Sequence, residues 1–261
     1  MKYFKIMIKY FFLINQGLKF RDKIIIFSYL FFNAVPNLFR KKKNHKLLGN
    51  VTVKSKDGIF FCASNIFSIW TGSSFHEPEL RKYFKLKKGV FVDVGANIGK
   101  YSILVGKELI SKGKVIAFEP MPGNFEILRK NIRLNNLKNI IPLQIALGNK
   151  EKETEFYIDA EGIGGGGHSL IKKTENKILV KVMKLDNILS DLKIKKIDLI
   201  KIDVEGAEAD VLLGAIKTLK KDHPKIIFEA WDTKHFSNVK KILLPLNYNI
   251  RKIGEQDYFA E

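Results

Sequence analysis

Two glycines and an acidic residue lie close together in residues 92–99, which read VDVGANIG. Glycines at the end of a strand let the backbone turn with positive φ and approach a ligand closely. A second acid, Glu119, stands 20 residues after Gly99 and precedes Pro120. A carboxylate at the tip of the next strand accepts hydrogen bonds from a ribose diol. The loop and the acid together predict a site for a nucleoside-containing cofactor.

This loop differs from that of dinucleotide-binding proteins. It reads GANIG and lacks the third glycine of the G-x-G-x-x-G pattern, which lets a helix pack beside a pyrophosphate. S-adenosylmethionine has no phosphate and makes no such demand. Asp93 would repel a pyrophosphate, whereas it could bind the amino group of a methionine moiety. We therefore expect S-adenosylmethionine as the cofactor, and a purely structural turn is the alternative.

A second group of acids follows another predicted strand. Asp203 and Glu205 stand at its end, and Gly206 closes the turn. Open α/β sheets build their ligand crevice at the carboxyl ends of the strands, which favours a site role for both acids. The alternative is that they stabilise the start of a helix, a role that fits Glu208 well.

The third feature is a glycine-rich loop over residues 162–169, with five glycines in six residues. Such a segment is costly to order, and a loop of this length within a domain is often a lid or a binding loop. His168 is a candidate general base. The alternative is a flexible insert whose histidine is solvated.

Strands and helices alternate around these features from residue 89 onward. The predicted strands span residues 90–94, 114–118, 140–146, 197–204, 225–230, 248–253 and 257–260, and the helices span 99–110, 124–135, 186–192, 207–219 and 234–244. An inserted strand pair is predicted at 152–159 and 177–183. This order predicts an α/β fold with a doubly wound, mostly parallel sheet and helices on both faces.

The rest of the chain divides into two further parts. Residues 47–88 form a predicted lead-in, with a hairpin (50–54 and 59–62) around Asp57-Gly58 and a helix over 77–86. Residues 1–46 form a basic, apolar, helical extension, and residues 89–261 form the cofactor-binding domain. The lone Cys62 cannot form an internal disulfide, and the sequence shows no zinc-type Cys/His spacing, so we expect a reducing, cytoplasmic location and no metal site.

The extension carries much of the charge. The chain has a net charge of +19, and residues 1–46 contain eleven Lys/Arg and one acid, which gives +10. Lysines interleaved with Phe, Tyr and Ile fit helices that lie on an anionic membrane surface, here the inner face, or that pack on the catalytic domain or on a second subunit. The apolar run at 24–39 is interrupted and shorter than the roughly 20 residues of a spanning helix, and no signal peptide is evident. A Lys-rich overall composition is one explanation of the charge on residues 47–261, and contact with an anionic partner is the alternative.

Six motifs in order resemble the FkbM-type methyltransferases across about residues 77–230. They are VDVGANIG, FEP, ALGN, KLDNIL, IDLIKIDVEGAEADVLLGA and PKIIFEAW. The resemblance implies a class I (Rossmann-like) methyltransferase fold, S-adenosylmethionine as methyl donor and methylation of a hydroxyl on a glycan, glycolipid or small molecule. It implies a cofactor site at Asp93, Gly95, Ala96, Asn97, Gly99, Glu119, Pro120 and Ala146, the last beside the adenine. Asp203 and Glu205 would face the methyl group.

Methylation of a hydroxyl needs a group that removes its proton as it attacks. The candidate catalytic bases are Asp203, Glu205 and His168, in that order. A magnesium ion could instead lower the hydroxyl pKa, but no full ligand set is evident. Two rival functions remain: a nucleic-acid methyltransferase and a non-catalytic binding protein. The first is disfavoured because the sequence lacks both an aromatic-interleaved basic groove and an Asn-Pro-Pro-aromatic motif.

Overall fold

The computed structural model describes residues 11–34, 48–63, 65–159, 162–171 and 173–261. The central sheet has seven strands in the order β11-β12-β10-β9-β3-β4-β5. Its strands are β3 (Gly89–Val94), β4 (Gly113–Phe118), β5 (Ile140–Leu143), β9 (Leu199–Ile202), β10 (Lys225–Glu229), β11 (Ile250–Lys252) and β12 (Asp257–Ala260). The five strands from β10 to β5 run parallel, and β12 runs antiparallel to both of its neighbours.

Helices cover both faces of this sheet. They are α1 (Phe20–Ala34), α2 (Ile66–Gly72), α3 (Lys100–Glu108), α4 (Pro122–Leu134), α5 (Leu185–Asp191), α6 (Glu208–Gly214), α7 (Ile216–Asp222) and α8 (Thr233–Leu243). Successive residues of β3 point to opposite faces, so Phe91 and Val92 belong to different hydrophobic clusters. The chain moves from β3 in one direction to β4 and β5, and returns to β9 and β10 on the other side. The order therefore reverses between β3 and β9, where doubly wound folds bind ligands.

The α/β alternation is confirmed, but two predicted elements are wrong in extent. The strand predicted to reach Ala146 ends at Leu143, because Leu143 pairs with Phe118, the last residue of β4. Ala146 belongs instead to a three-stranded sheet of β6 (Ala146–Leu147), β8 (Lys177–Met183) and β7 (Lys152–Tyr157).

The helix predicted over 207–219 is two helices, α6 and α7. Asp186 accepts hydrogen bonds from the backbone N–H groups of Lys217 and Thr218, both at 2.9 Å, and so caps α7 from α5. Gly214 lies so close to Gly148 that a Cβ would come 2.1 Å from its carbonyl oxygen. The helix is interrupted at Ala215, beside these two contacts. No signal in the sequence predicted an interruption there.

The predicted hairpin of the lead-in is confirmed as β1 (Val51–Lys54) paired with β2 (Ile59–Cys62). Asn131 of α4 and Asn135, which follows its last residue, accept hydrogen bonds from the backbone N–H groups of Phe61 and Ile59 at 2.7 and 2.9 Å. The hairpin thus packs on the core of the central sheet. The helix predicted over 77–86 is a short 3₁₀ helix, Leu80–Phe84, and α2 was not predicted.

The described part of the N-terminal extension packs on this hairpin. Leu13, Ile25, Ile26 and Leu30 are buried in the same hydrophobic cluster as the hairpin. The backbone N–H of Leu18 donates to Thr52 at 2.8 Å. Of the two predicted roles, packing therefore holds for residues 11–31, whereas residues 1–10 and 35–46 lie outside the described residues. No helix in the described ranges has the length and apolar character needed to cross a membrane.

Candidate active site

The loop after β3 adopts the tight turn that its glycines predict. Gly95, Asn97 and Gly99 have φ values of 79°, 51° and 92°. The backbone N–H groups of Gly95 and Ala96 donate to the carbonyl oxygen of Phe118 at 3.0 and 2.9 Å. A Cβ at Gly95 would come 1.8 Å from the Asp203 carbonyl oxygen, so only glycine fits there. This close approach brings the two predicted motifs together.

Two buried carboxyl groups flank this loop. One Asp93 oxygen accepts the Ser102 hydroxyl at 2.6 Å, and the other has no hydrogen-bond partner among the described residues. Glu119 accepts the backbone N–H groups of Asn97 (2.7 Å) and Met121 (3.0 Å), which leaves one lone pair on each oxygen. Burial raises the pKa of both groups, that of Glu119 to about 7. Glu119 lines the cavity, so its remaining lone pairs can accept hydrogen bonds from a ligand there, whereas the predicted site residue Asp93 lies behind the loop and is not among the described lining residues.

Another part of the cavity wall is apolar. It includes residues of the three-stranded sheet formed by β6, β8 and β7. Ala146 and Phe156 lie there with Pro120 and Leu170. Ala146 and Phe156 also belong to a separate hydrophobic cluster with Met121, Val180 and Val182. The predicted cofactor residue Ala146 thus lines the cavity, although it does so from a different sheet than expected. Phe156 and Leu170 were missed because nothing in their spacing distinguishes them from core residues.

The glycine-rich loop is held against the loop that follows β3. The Asn97 side-chain amide donates to the Gly165 carbonyl oxygen at 3.0 Å. The buried Asn124 of α4 accepts the Gly164 N–H at 2.7 Å and donates to the same Gly165 oxygen at 3.3 Å. The described residues 162–171 therefore form one wall of the cavity, with the side chains of α4 fixing their position.

His168 lines the cavity and is buried. Its Nδ1 accepts the backbone N–H of Asp159 at 3.1 Å. Burial lowers the pKa of His168, although the Asp159 carboxylate opposes the shift, so the imidazole is neutral at neutral pH. The buried Nε2 atom has no hydrogen-bond partner among the described residues, and His168 stays the third of the candidate bases.

Asp203 and Glu205 lie at the cavity end next to the β9 tip, together with Glu229. One oxygen of each acid lies within 4.8 Å of the other two. The Lys201 ammonium lies 2.7 Å from Asp203 and, although burial opposes ionisation, holds the pKa of Asp203 below its usual range. Burial and the neighbouring Asp203 raise the pKa of Glu229 to about 10. Asp203 is therefore ionised at neutral pH while Glu229 keeps its proton.

The Asp203–Gly206 turn has an unusual backbone. Glu205 has a φ of 57° and Gly206 a φ of 107°. Glu208 lies in the first turn of α6, and its carboxylate accepts the backbone N–H groups of Val204 (3.4 Å) and Gly206 (3.0 Å), which precede the helix. A left-handed non-glycine residue costs about 1–2 kcal/mol and persists only where its surroundings hold it.

Several residues at the cavity end next to the β9 tip were not predicted as site residues. Glu229 is the last residue of β10, the strand beside β9. Its place at the tip of a strand was the sequence signal that could have identified Glu229 as a site residue. His76 and Glu77 reach the cavity from the lead-in, and Tyr101 donates a short hydrogen bond to Glu77. Burial lowers the pKa of His76 to about 3. No pattern in the lead-in pointed to this position.

Comparisons with known proteins agree with this geometry. Residues 93–255 match the family described as Methyltransferase FkbM domain. "Methyltransferase 1" of Beauveria bassiana is 28% identical over 176 residues, which cover 58% of this chain and 69% of the relative. "Hexuronic acid methyltransferase AglP" of Haloferax volcanii is 30% identical over 131 residues, 50% of this chain and 52% of the relative.

A relative and a solved structure with the FkbM name are also similar to the chain. The "31-O-demethyl-FK506 methyltransferase FkbM" of Streptomyces tacrolimicus is 29% identical over 52% of this chain and 63% of its own length. The crystal structure of a methyltransferase FkbM from Methylobacillus flagellatus KT aligns over 97% of this chain and 58% of its own, with 16% identity and a TM-score of 0.48. The chain belongs to the FkbM methyltransferase family, with a class I methyltransferase fold and S-adenosylmethionine as its cofactor.

Proposed function

We propose that this protein transfers the methyl group of S-adenosylmethionine to a hydroxyl group. The observation that carries the proposal is the ionised Asp203, 2.7 Å from Lys201, in the same cavity as the loop after β3. An attacking hydroxyl must lose its proton, and an ionised carboxylate at the acceptor end can take it. Nothing comparable is needed by a protein that only binds the cofactor.

The residues of the cavity fit S-adenosylmethionine. The remaining lone pairs of Glu119 suit the ribose hydroxyls. The turn at Gly95, Ala96, Asn97 and Gly99 lets the backbone approach closely, and Pro120 and Ala146 lie on the apolar side suited to adenine. When bound, the cofactor supplies a methyl group on a positively charged sulfur.

The acids at the other end have distinct roles in the proposal. Asp203 takes the acceptor proton, and Lys201 keeps it ionised and oriented. Glu229, which is protonated, donates a hydrogen bond and helps to hold the acceptor or Asp203. Glu205 is a second acceptor-binding group, and His168 is third as a base. Positioned general bases contribute about 10²–10⁴-fold to a rate, and alignment of the acceptor oxygen with the methyl–sulfur bond supplies much of the rest.

The proposed acceptor is a hydroxyl-bearing glycan, glycolipid or small molecule. Carboxyl groups, an imidazole and Tyr101 line the acceptor end, and such groups hydrogen-bond to multiple hydroxyls. Relatives named "Hexuronic acid methyltransferase AglP" and "2-O-methyltransferase NoeI" have sugar or O-methylation terms in their names. These names support the proposed class and leave the individual acceptor to experiment.

We further propose that the exposed face of α1 attaches the protein to an anionic membrane surface. Phe20, Ile24 and Phe27 lie on one helical face and are 79%, 49% and 53% exposed. Lys19 and Arg21 flank them, whereas Asp22 is buried and accepts the Lys19 N–H at 3.0 Å. Each basic residue near an acidic leaflet contributes about 1 kcal/mol, and the apolar face adds hydrophobic attachment.

The decisive experiment supplies S-adenosylmethionine with an isotopically labelled methyl group to the full chain and separate pools of glycans, lipids, small metabolites and RNA. Mass spectrometry then locates the label. Label on an oxygen of a hydroxyl-bearing acceptor supports the proposal. Label on nucleic acid would favour the nucleic-acid methyltransferase, and cofactor binding without transfer to any pool would favour the binding protein.

A further inference from the structure

Ser169, at the end of the glycine-rich loop, is completely buried and contacts the turn that carries Glu205. Its hydroxyl donates to the Glu205 carbonyl oxygen at 2.7 Å and accepts the Ile171 N–H at 3.0 Å. The Ser169 backbone is anchored separately, since it exchanges two hydrogen bonds with Tyr157 of β7, at 2.8 and 3.0 Å. The hydroxyl therefore projects from a fixed support, 36 residues away in sequence from the carbonyl that it holds.

The Glu205 carbonyl needs such a partner. This carbonyl belongs to the Glu205–Gly206 peptide, and both residues have positive φ. Gly206 has the backbone freedom that lets this peptide rotate. Glu208 holds the N–H groups of Val204 and Gly206 on one side of the turn. Ser169 contacts the turn on the carbonyl side. Loss of the Ser169 hydroxyl would remove one of the hydrogen bonds that hold the turn and would let its backbone relax.

The same loop also contacts the cofactor side of the cavity. Gly165 accepts hydrogen bonds from Asn97, which belongs to the loop after β3, and from Asn124. The loop thus joins the segment that binds the cofactor to the turn that bears an acceptor-site carboxylate. A displacement of this loop would move Glu205 relative to the cofactor.

We propose that Ser169 is a positioning residue, whose hydroxyl holds the Glu205–Gly206 peptide so that the Glu205 carboxylate stays at the acceptor end of the cavity. This inference rests on the proposed function, because Ser169 matters for methyl transfer only if the Glu205 carboxylate has its proposed role at the acceptor end. Ser169 itself acts only through the turn, from the wall formed by the glycine-rich loop. Its removal should impair methyl transfer while leaving the affinity for S-adenosylmethionine nearly unchanged.

The test is a double-mutant cycle on the full chain with S169A and E205Q. S169A should lower kcat/KM for the acceptor about 10-fold or more, with the cofactor Kd within about 2-fold of wild type, because a displaced Glu205 carboxylate no longer hydrogen-bonds to the acceptor. In the E205Q background, S169A should lower kcat/KM by less than about 2-fold, because both changes act through one group. T174V is the matched control: Thr174 donates to the Ile158 carbonyl in the same region and does not reach the turn.

Two results would overturn the proposal. Equal losses from S169A in both backgrounds would show a structural effect unrelated to Glu205. A crystal structure of S169A with Glu205 still near a φ of 57° and its carboxylate unmoved would also overturn it, and this readout needs no acceptor. If wild type binds S-adenosylmethionine but methylates no pool, the proposed function fails by itself, and the crystal structure still decides whether Ser169 holds the turn.

Discussion

Asp93 and Lys201 occupy paired positions on the adjacent parallel strands β3 and β9. The buried Lys201 ammonium lies 2.7 Å from Asp203, its ion-pair partner, and is also attracted by the Asp93 carboxyl group. Despite its burial, these acids raise the pKa of Lys201, so the lysine stays charged throughout the physiological range. Lys201 thus connects Asp93 and Asp203 through charge. The first two predictions concern Asp203 and Lys201.

Replacing Asp203 by Asn should reduce kcat by roughly 10²-fold or more while the fold and the cofactor affinity are kept. The amide has nearly the same shape but cannot accept the hydroxyl proton. Single-turnover kinetics and cofactor titration measure the two effects separately. E126Q, which changes an exposed acid of α4, is the control. Full activity of D203N would remove Asp203 from the mechanism.

Replacing Lys201 by Gln should move the acidic limb of the pH–rate profile to higher pH. Lys201 lowers the Asp203 pKa, so loss of the ammonium raises that pKa and turnover is lost at a higher pH than in wild type. A shift of about one pH unit or more is expected, since opposite charges at this distance shift a pKa by 1–3 units. An unchanged acidic limb would show that Asp203 does not control turnover.

Replacing Glu119 by Gln should weaken S-adenosylmethionine binding by about 1.5–3 kcal/mol, the range for hydrogen bonds to a charged group. The amide keeps the size of the side chain but replaces one acceptor oxygen by a donor. Isothermal titration measures the change, with the melting temperature as a check on the fold. An affinity equal to that of wild type would exclude Glu119 from the cofactor site.

The affinity for S-adenosylmethionine should also depend on pH. The Glu119 pKa is about 7 in the protein without cofactor, and ribose hydroxyls donate to the ionised form. Binding should therefore release a proton, and the Kd should rise about 10-fold from pH 8 to pH 6. The E119Q variant should lose most of this dependence. A Kd that is flat across this range in wild type would contradict the proposed ribose contact.

Two isoleucines of α1 test the packing of the N-terminal extension. Ile26 is completely buried and Ile24 is 49% exposed. I26A should lower the free energy of unfolding by about 2–5 kcal/mol, whereas I24A should change it by less than about 0.5 kcal/mol. Urea denaturation measures both. Equal small effects would mean that α1 does not pack as described.

Membrane attachment predicts that the full chain floats with vesicles rich in anionic lipid and much less with neutral vesicles. The variant F20S/I24S/F27S should float less, because it removes the exposed apolar face of α1 and retains Lys19 and Arg21. The control I110S/L179S/L213S changes three exposed apolar residues elsewhere on the surface. High salt should weaken flotation of the wild type. Equal flotation of the two variants would refute the proposed face.

The sequence by itself determined the α/β alternation, the cofactor and the two motifs that meet in the cavity. Short-range signals were sufficient for these predictions. Glycine spacing, acids at strand tips and hydrophobic periodicity are local properties of the sequence, and a parallel sheet arranges such segments in a regular way. The position of Glu119, Asp203 and Glu205 around one cavity could be predicted because the carboxyl ends of parallel strands meet at one edge, and their roles there stay predictions.

The tertiary structure alone decided the contacts between segments far apart in the chain. Glu229, His76 and Glu77 reach the acceptor end from other elements, and Ser169 reaches the Glu205 carbonyl from the glycine-rich loop. The same is true of the protonation states: isolated Asp203 and Glu229 are similar acids, and only burial beside Lys201 and each other leaves one ionised and the other protonated. Desolvation and charge pairing depend on distances in space, which no spacing along the chain encodes.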